Sequence, residues 1–282
     1  MKKQYNPKDL DIRSNYHLMI SGIVPRPIAF VSSISNNNEV NLAPYSFFNG
    51  FGANPPIIGF SPALSGRTGL PKDTLNNVKA TKEFSISIVN NEMVEQMAIT
   101  SNDYPSEIDE FEKSGFSKRE SHTIKTPYVK ESPFTMECKL YKIIELGNKP
   151  ASGNLILGEI LCFHINESVL SDNKIDPMLL DPISRMGYSY YSRASKGVFS
   201  LPKPQKEGIG FDKLPKHILS SSLKGRELAK LASSEKIPNY KKGIDKKLSY
   251  NDIICLCSKS IQRNDINVAW QYVHRLGELI EE

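Results

Sequence analysis

Apolar and polar positions along the chain fall into stretches with distinct periods, and each period predicts an element. Residues 27–34 are apolar and β-branched after a proline start and predict a strand. Ser35-Asn36-Asn37-Asn38-Glu39 predicts a turn, because Asn tolerates left-handed backbone angles and bonds its own main chain. Residues 40–46 return as the partner strand. Residues 49–56, with Gly50, Gly52, Pro55 and Pro56, predict a loop, and the apolar run 57–61 predicts a third strand buried on both faces. A loop with Pro62, Gly66 and Gly69 leads to Asp73, read as the N-cap of a short helix over 74–82. Residues 84–89 alternate with period two and predict a strand, and 90–101 predict a helix with Met93, Val94, Met97 and Ala98 on one face. A polar, turn-rich excursion fills 102–126, followed by long strands over 134–146 and 154–166. Ahead of all these, residues 14–22 predict a short helix or an extended arm ending at Gly22.

About six strands with two short helices fit a closed or partly closed antiparallel barrel better than alternating βαβ units. No Gly-x-Gly-x-x-Gly follows a strand and opens a helix, which argues against a separate dinucleotide-binding domain. Beyond Pro202, Pro204, Gly208 and Gly210 the composition shifts, and helices are predicted over 223–232, 250–261 and 268–280. The expected organisation is therefore mainly β with helices: a barrel domain over 1–204 and a helical C-terminal extension over 205–282.

Composition adds exclusions. With 39% hydrophobic and 24% charged residues, the 282-residue chain reads as an ordinary soluble globular protein. A formal charge of +5, concentrated in lysines such as Lys203, Lys213, Lys241, Lys242 and Lys247, is too mild for a specific nucleic-acid partner. No apolar run approaches the roughly 20 residues that span a bilayer, and the basic N-terminus lacks an apolar signal-peptide core. Cys138, Cys162, Cys255 and Cys257 read as reduced thiols, which points to the cytoplasm.

The candidate chemistry lies in three stretches: Arg26-Pro27-Ile28-Ala29-Phe30-Val31-Ser32-Ser33, Asn41-Leu42-Ala43-Pro44-Tyr45-Ser46-Phe47-Phe48-Asn49 and Lys72-Asp73-Thr74-Leu75-Asn76-Asn77. Ser65, Arg67, Lys72 and Thr74 fall within ten positions on a loop entering a helix N-terminus, where amides and the dipole favour an anion. A capped surface helix with solvated charges gives the same pattern. Ser32 and Ser33 end an apolar strand, where hydroxyls suit either a ligand's edge or a local turn. Phe47 and Phe48 suit either a ring-binding strand or the core. No Ser-His-Asp set, metal-ligand cluster or paired carboxylates stand out.

In this order and spacing the three stretches resemble the flavin reductase-like family, whose members bind FMN on a split β-barrel of antiparallel, Greek-key-like strands. Ser132-Pro133, Glu137-Cys138, Gly158-Glu159, His164, Asp181-Pro182, Arg185, Gly187 and Tyr190 extend the resemblance over about residues 15–204. The resemblance implies FMN contacts at Arg26, Ser32, Asn41, Ala43, Ser46, Phe47, Arg67, Lys72 and Thr74, with Ser33 and Ser65 as further candidates. It assigns Asp73 a capping and orienting role. It implies a homodimer in which Phe48, Phe51 or residues 188–191 approach the cofactor from the partner chain.

The resemblance further implies an enzyme: NADH or NADPH stacks on bound FMN, passes a hydride to it, and an acceptor or a partner oxygenase takes the electrons. Such chemistry needs no catalytic side chain, since the flavin supplies it. His164 is the one weak catalytic candidate, against its reading as a hydrogen-bonded barrel residue. The alternative function is a non-catalytic FMN electron carrier or flavin-storage protein with no pyridine nucleotide site. A third reading makes the basic helical tail an interaction module.

Overall fold

In the computed structural model, residues 1–201, 203, 206–241 and 243–281 are described. They form two compact units, Met1–Phe199 and Ser200–Glu282. The boundary expected at 204/205, with Pro202, Pro204 and also Lys242, lies outside the described residues.

The first unit is built on one antiparallel sheet of seven strands: β1 (Ala29–Ile34), β2 (Val40–Tyr45), β3 (Phe48–Ala53), β4 (Pro56–Phe60), β5 (Glu83–Ile88), β6 (Phe134–Glu145) and β7 (Asn154–Ile165). Their spatial order is β2-β1-β5-β6-β7-β4-β3. The two edge strands, β2 and β3, are consecutive in the chain, with only Ser46 and Phe47 between them. A flat sheet would hold its edges several strand widths apart, at roughly 4.8 Å per strand. The short connection therefore requires the sheet to curl until its edges meet, and Ser46 and Phe47 sit at that seam. There the Phe47 carbonyl accepts from the Ser61 N–H at 2.9 Å.

Inside the curl, Val31, Phe60, Phe84, Ile86, Met136 and Ile156 form one core. Phe60 and Phe84 meet edge to face at 5.3 Å. A second core, with Phe30, Leu42, Met97, Phe111 and Phe116, lies under the opposite face of β1 and β2. The strand β3 corrects the expected loop over 49–56. As a sheet edge it pairs on one side only, with β4, and carries a register shift between Gly50 and Gly52, so glycines are tolerated there.

Helix α1 (Ile12–Gly22) settles the ambiguous lead-in as helix, with Asp11 accepting from the Ser14 N–H. Helix α2 (Asp73–Thr81) starts one residue earlier than expected. Lys72 is its N-cap, without a side-chain capping bond, and Asp73 is its first residue. The Asp73 carboxylate instead accepts from Ser106 Oγ at 3.0 Å. Helix α3 (Val94–Ile99) and the single-turn helix α4 (Glu110–Ser114) follow, and α4 orders part of the polar excursion. A small sheet of Arg26–Pro27, Ile183–Arg185 and Tyr191–Arg193 flanks the seam strands.

The second unit is helical: α5 (Gly225–Ala232), α6 (Tyr250–Gln262) and α7 (Ile266–Glu281), all three near their expected positions. Ser249 and Asp252 form a reciprocal capping box at the start of α6. The apolar faces meet around Leu231, Ile253, Cys257, Trp270 and Leu276, and the Trp270 indole donates to Ser234 Oγ at 2.9 Å. Among the described residues no helix is long and apolar enough to cross a membrane.

Candidate functional site

The seam between β2 and β3 is held from beneath by a buried cation. Arg26 is 4% exposed and donates four hydrogen bonds within the protein. Its Nη1 donates to the carbonyls of Ile20 (2.5 Å) and Ile23 (2.8 Å), its Nη2 to that of Met186 (3.1 Å), and its Nε to Ser46 Oγ (3.3 Å). The guanidinium also lies over the Phe47 ring, 6.0 Å from its centroid. Burial pulls its pKa below the ordinary value, and Arg185 nearby acts the same way. Arg26 thus clamps Ser46 and Phe47.

Side chains alternate along β2. Leu42 points into the core, while Asn41, Ala43 and Tyr45 face a cleft of about 140 Å³ that Lys72, Asp73, Ser101, Asp103 and Glu110 also line. Thr74, in the first turn of α2, organises this wall. Its Oγ1 accepts from Asn41 Nδ2 at 2.8 Å and from the Tyr45 hydroxyl at 2.9 Å, and it keeps its own proton to donate. Burial pushes the Tyr45 phenol well above its usual range, so it stays protonated. A second cleft of about 190 Å³ shares Pro44 and Ser101 with the first and is lined by Ser46, Tyr16, Arg185 and Tyr191. Ser46 Oγ, accepting from Arg26, likewise keeps its proton.

At the mouth, Lys72 Nζ meets Asp103 Oδ1 at 2.5 Å. Lys72 is the main cause of a lowered Asp103 pKa, and Arg67 adds to it, so the two cations and one carboxylate form one exposed cluster. Glu110, 7% exposed, accepts from the Leu42 N–H at 3.0 Å. Burial raises its pKa, and the Leu42 bond partly offsets this.

The sequence candidates separate accordingly. Asn41, Ala43, Ser46 and Lys72 line the two clefts, Thr74 braces their wall, and Arg67 stands near the mouth. Ser32 and Ser33 are 1% and 0% exposed and line neither cleft. Ser33 Oγ accepts from Asn77 Nδ2 at 3.2 Å, while Ser32 Oγ has no partner. Ser65 lines neither cleft: its Oγ accepts from the Thr68 N–H and its N–H bonds the Leu70 carbonyl, closing its own turn. Phe47 faces a third, apolar cavity. Tyr191, expected to act from a partner chain, lines the cleft of its own chain, with Arg185 over its ring at 4.4 Å. Sequence reading missed Ser101, placed at the end of the helix expected over 90–101, and Asp103 and Glu110, whose only signal was their place in an unpatterned excursion.

His164 lies outside both clefts. Its Nε2 meets Glu137 at 2.5 Å and its ring stacks on Tyr128 at 4.7 Å. Glu137 is fully buried and also accepts from the His122 N–H, the Thr123 N–H and Thr123 Oγ1. Burial alone would raise its pKa, but these donors outweigh it and bring it down to about 2. With Cys162 the pair forms a convergent Glu-Cys-His group that sequence spacing did not reveal. The imidazole and carboxylate bond each other, and burial holds the Cys162 thiol above its usual pKa.

A sheet curled so that its edges meet, with donors and a cation gathered at the seam, defines a split β-barrel with clefts at the seam. Residues 21–188 match the model of the flavin reductase like domain, and the chain belongs to that family. An uncharacterized protein of Aquifex aeolicus is 37% identical over 188 residues, 66% of this chain and 93% of that one. The crystal structure of nitrilotriacetate monooxygenase component B from Bacillus cereus is similar with a TM-score of 0.68 at 33% identity, covering 71% of this chain and 99% of that one. That of the 2-nitrobenzoate 2-nitroreductase of Pseudomonas fluorescens gives a TM-score of 0.65 at 28% identity, covering 74% and 100%.

Proposed function

We propose that the barrel unit binds FMN along the two joined clefts and acts as an NAD(P)H-dependent flavin oxidoreductase. The observation that carries this is the wall built by Asn41, Thr74 and Ser46 beside Lys72, because it supplies what FMN requires. A dianionic phosphate suits the Lys72 and Arg67 mouth and the α2 N-terminus. The polyol suits the undonated hydroxyl proton of Ser46 and the Asn41 side chain that Thr74 holds in place. The flat ring suits backbone and small side chains at Ala43 and Pro44, which let it approach closely. When bound, FMN supplies two-electron chemistry, taking a hydride from a reduced nicotinamide for delivery to an acceptor. Arg26 keeps the seam rigid, and the protonated Tyr45 holds Thr74 in place. The names of the two enzymes above, a monooxygenase component and a nitroreductase, favour a redox role and either a partner oxygenase or a small acceptor.

The protein so read is cytoplasmic and homodimeric. The exposed apolar positions Leu161, Phe163 and Ile165 on β7, with Tyr141 on β6, supply a face for the second copy. The barrel over 1–204 carries the flavin, and the extension over 205–282 serves structure or recruitment. An absorbance spectrum followed by anaerobic NADH and NADPH tests the proposal. Flavin bands at about 370 and 450 nm that bleach rapidly are expected. Bleaching with dithionite alone would make the protein an electron carrier, and a colourless protein that takes up no FMN would sink the reading.

A further inference from the structure

The third cavity, of about 540 Å³, lies between α1 and the turn that joins β6 to β7. Ile12, Tyr16, Met19 and Ile23 recur at helical spacing along one face of α1, yet each is about half exposed or more. Leu146 and Pro150 line it from the turn, and Phe47 joins it to the seam. Tyr16 lines both this cavity and the cleft that holds Ser46. The volume falls within the roughly 300–1,000 Å³ of small-molecule sites.

Two features define what fits. First, among the described residues no charged side chain lines the cavity, so an ionic ligand would lose hydration without compensation. Second, it carries hydroxyl donors with protons unspent. Ser61 Oγ accepts from the Asn154 N–H at 3.1 Å and Ser152 Oγ from the Lys149 N–H at 3.2 Å, so each proton is left for another acceptor. The Tyr16 hydroxyl has no hydrogen bond among the described residues. Apolar walls with several donors suit a neutral, flat molecule bearing carbonyl oxygens.

We infer that this cavity is the acceptor site, and that it takes a neutral conjugated carbonyl compound of the quinone class. The inference rests on the flavin reading above. In the balanced step, quinone, NAD(P)H and one proton give hydroquinone and NAD(P)+: the hydride carries the two electrons and one hydrogen, and solvent supplies the one proton. The hydroxyls of Tyr16, Ser61 and Ser152 hold the carbonyl oxygens, on which negative charge grows as electrons arrive.

The test is calorimetric titration of 1,4-naphthoquinone onto the full-length protein, with and without added FMN. Micromolar binding is expected, and 1,4-naphthoquinone-2-sulfonate, which carries a charge, should bind at least about tenfold more weakly. The double variant Met19→Glu/Leu146→Glu changes exposed positions and should lose naphthoquinone binding by about thirtyfold or more. Its FMN affinity and its rate of bleaching by NAD(P)H should remain those of the wild type. Unchanged naphthoquinone binding in that variant overturns the inference and leaves the flavin reading standing. A wild type that takes up no FMN fails the flavin reading, while titration of the same protein still judges the cavity. If sedimentation shows that the double variant passes from dimer to monomer, the groove is a subunit contact and the inference is wrong.

Discussion

Arg26 Nε donates to Ser46 Oγ at 3.3 Å, joining the start of the first barrel segment to the two-residue link where the sheet's edges meet. The same guanidinium ties down the end of α1 and the Met186 carbonyl, so one buried side chain links three segments that are distant in sequence. Replacing it should therefore harm the fold before it harms any ligand. Arg26→Ala strands three carbonyls and removes a charge-assisted network, at a cost of about 3 kcal/mol or more. Chemical denaturation measures this. A variant within about 0.5 kcal/mol of wild type would show that the clamp is incidental.

Thr74 Oγ1 is the shared acceptor for Asn41 and Tyr45. Thr74→Val keeps the shape and removes both bonds, leaving two donors unmatched, and should destabilise by about 2 kcal/mol. Thr74→Ser should recover most of that loss. Equal melting temperatures for the Val and Ser variants would refute the role.

Lys72 and Arg67 gather at the cleft mouth around Asp103. If a phosphate binds there, Lys72→Ala with Arg67→Ala should weaken FMN by on the order of 2–4 kcal/mol while leaving folding nearly unchanged, because both side chains are substantially exposed. Fluorescence titration with FMN provides the check. Unaltered affinity removes the phosphate assignment.

The carboxylate of Glu137 is held at a pKa of about 2, below the ordinary glutamate value. A depressed folded-state pKa contributes stability that is fully present above the unfolded value of about 4.3. That contribution is lost as pH falls from there through about 2. The melting temperature of the wild type should exceed that of Glu137→Gln at pH 6, and the gap should narrow steadily by pH 2. A constant gap across that range would mean that Glu137 is not ionised in the fold.

Gly158 faces the core beneath Phe84. A Cβ there would come within 2.4 Å of Phe84 Cζ, and Phe84 is fully buried against Phe60. Gly158→Ala should destabilise by about 1–3 kcal/mol through overpacking, read as a lowered thermal midpoint. A midpoint at or above wild type would show that the barrel wall yields.

Periodicity alone determined most of the elements. Strands β1, β2, β5, β6 and β7 and the three long helices of the second unit follow from alternation and from 3.6-residue spacing, because those patterns record which face of each element meets a core. The strand β3 escaped, since it buries little on this sheet edge and carries glycines at its register shift. The motif residues Asn41, Ala43, Ser46 and Lys72 were legible as a group. What each does was not. Arg26 and Thr74 hold hydrogen bonds to distant segments and Ser32 is buried, because burial and partners are set by segments far away in sequence. Asp103 and Glu110 reach the cleft from an excursion without pattern, and Glu137 finds His164 across a strand pair. Tertiary pairing and closure of the sheet brought these together, since contact between distant residues depends on which strands pair and how the sheet closes and not on any local period.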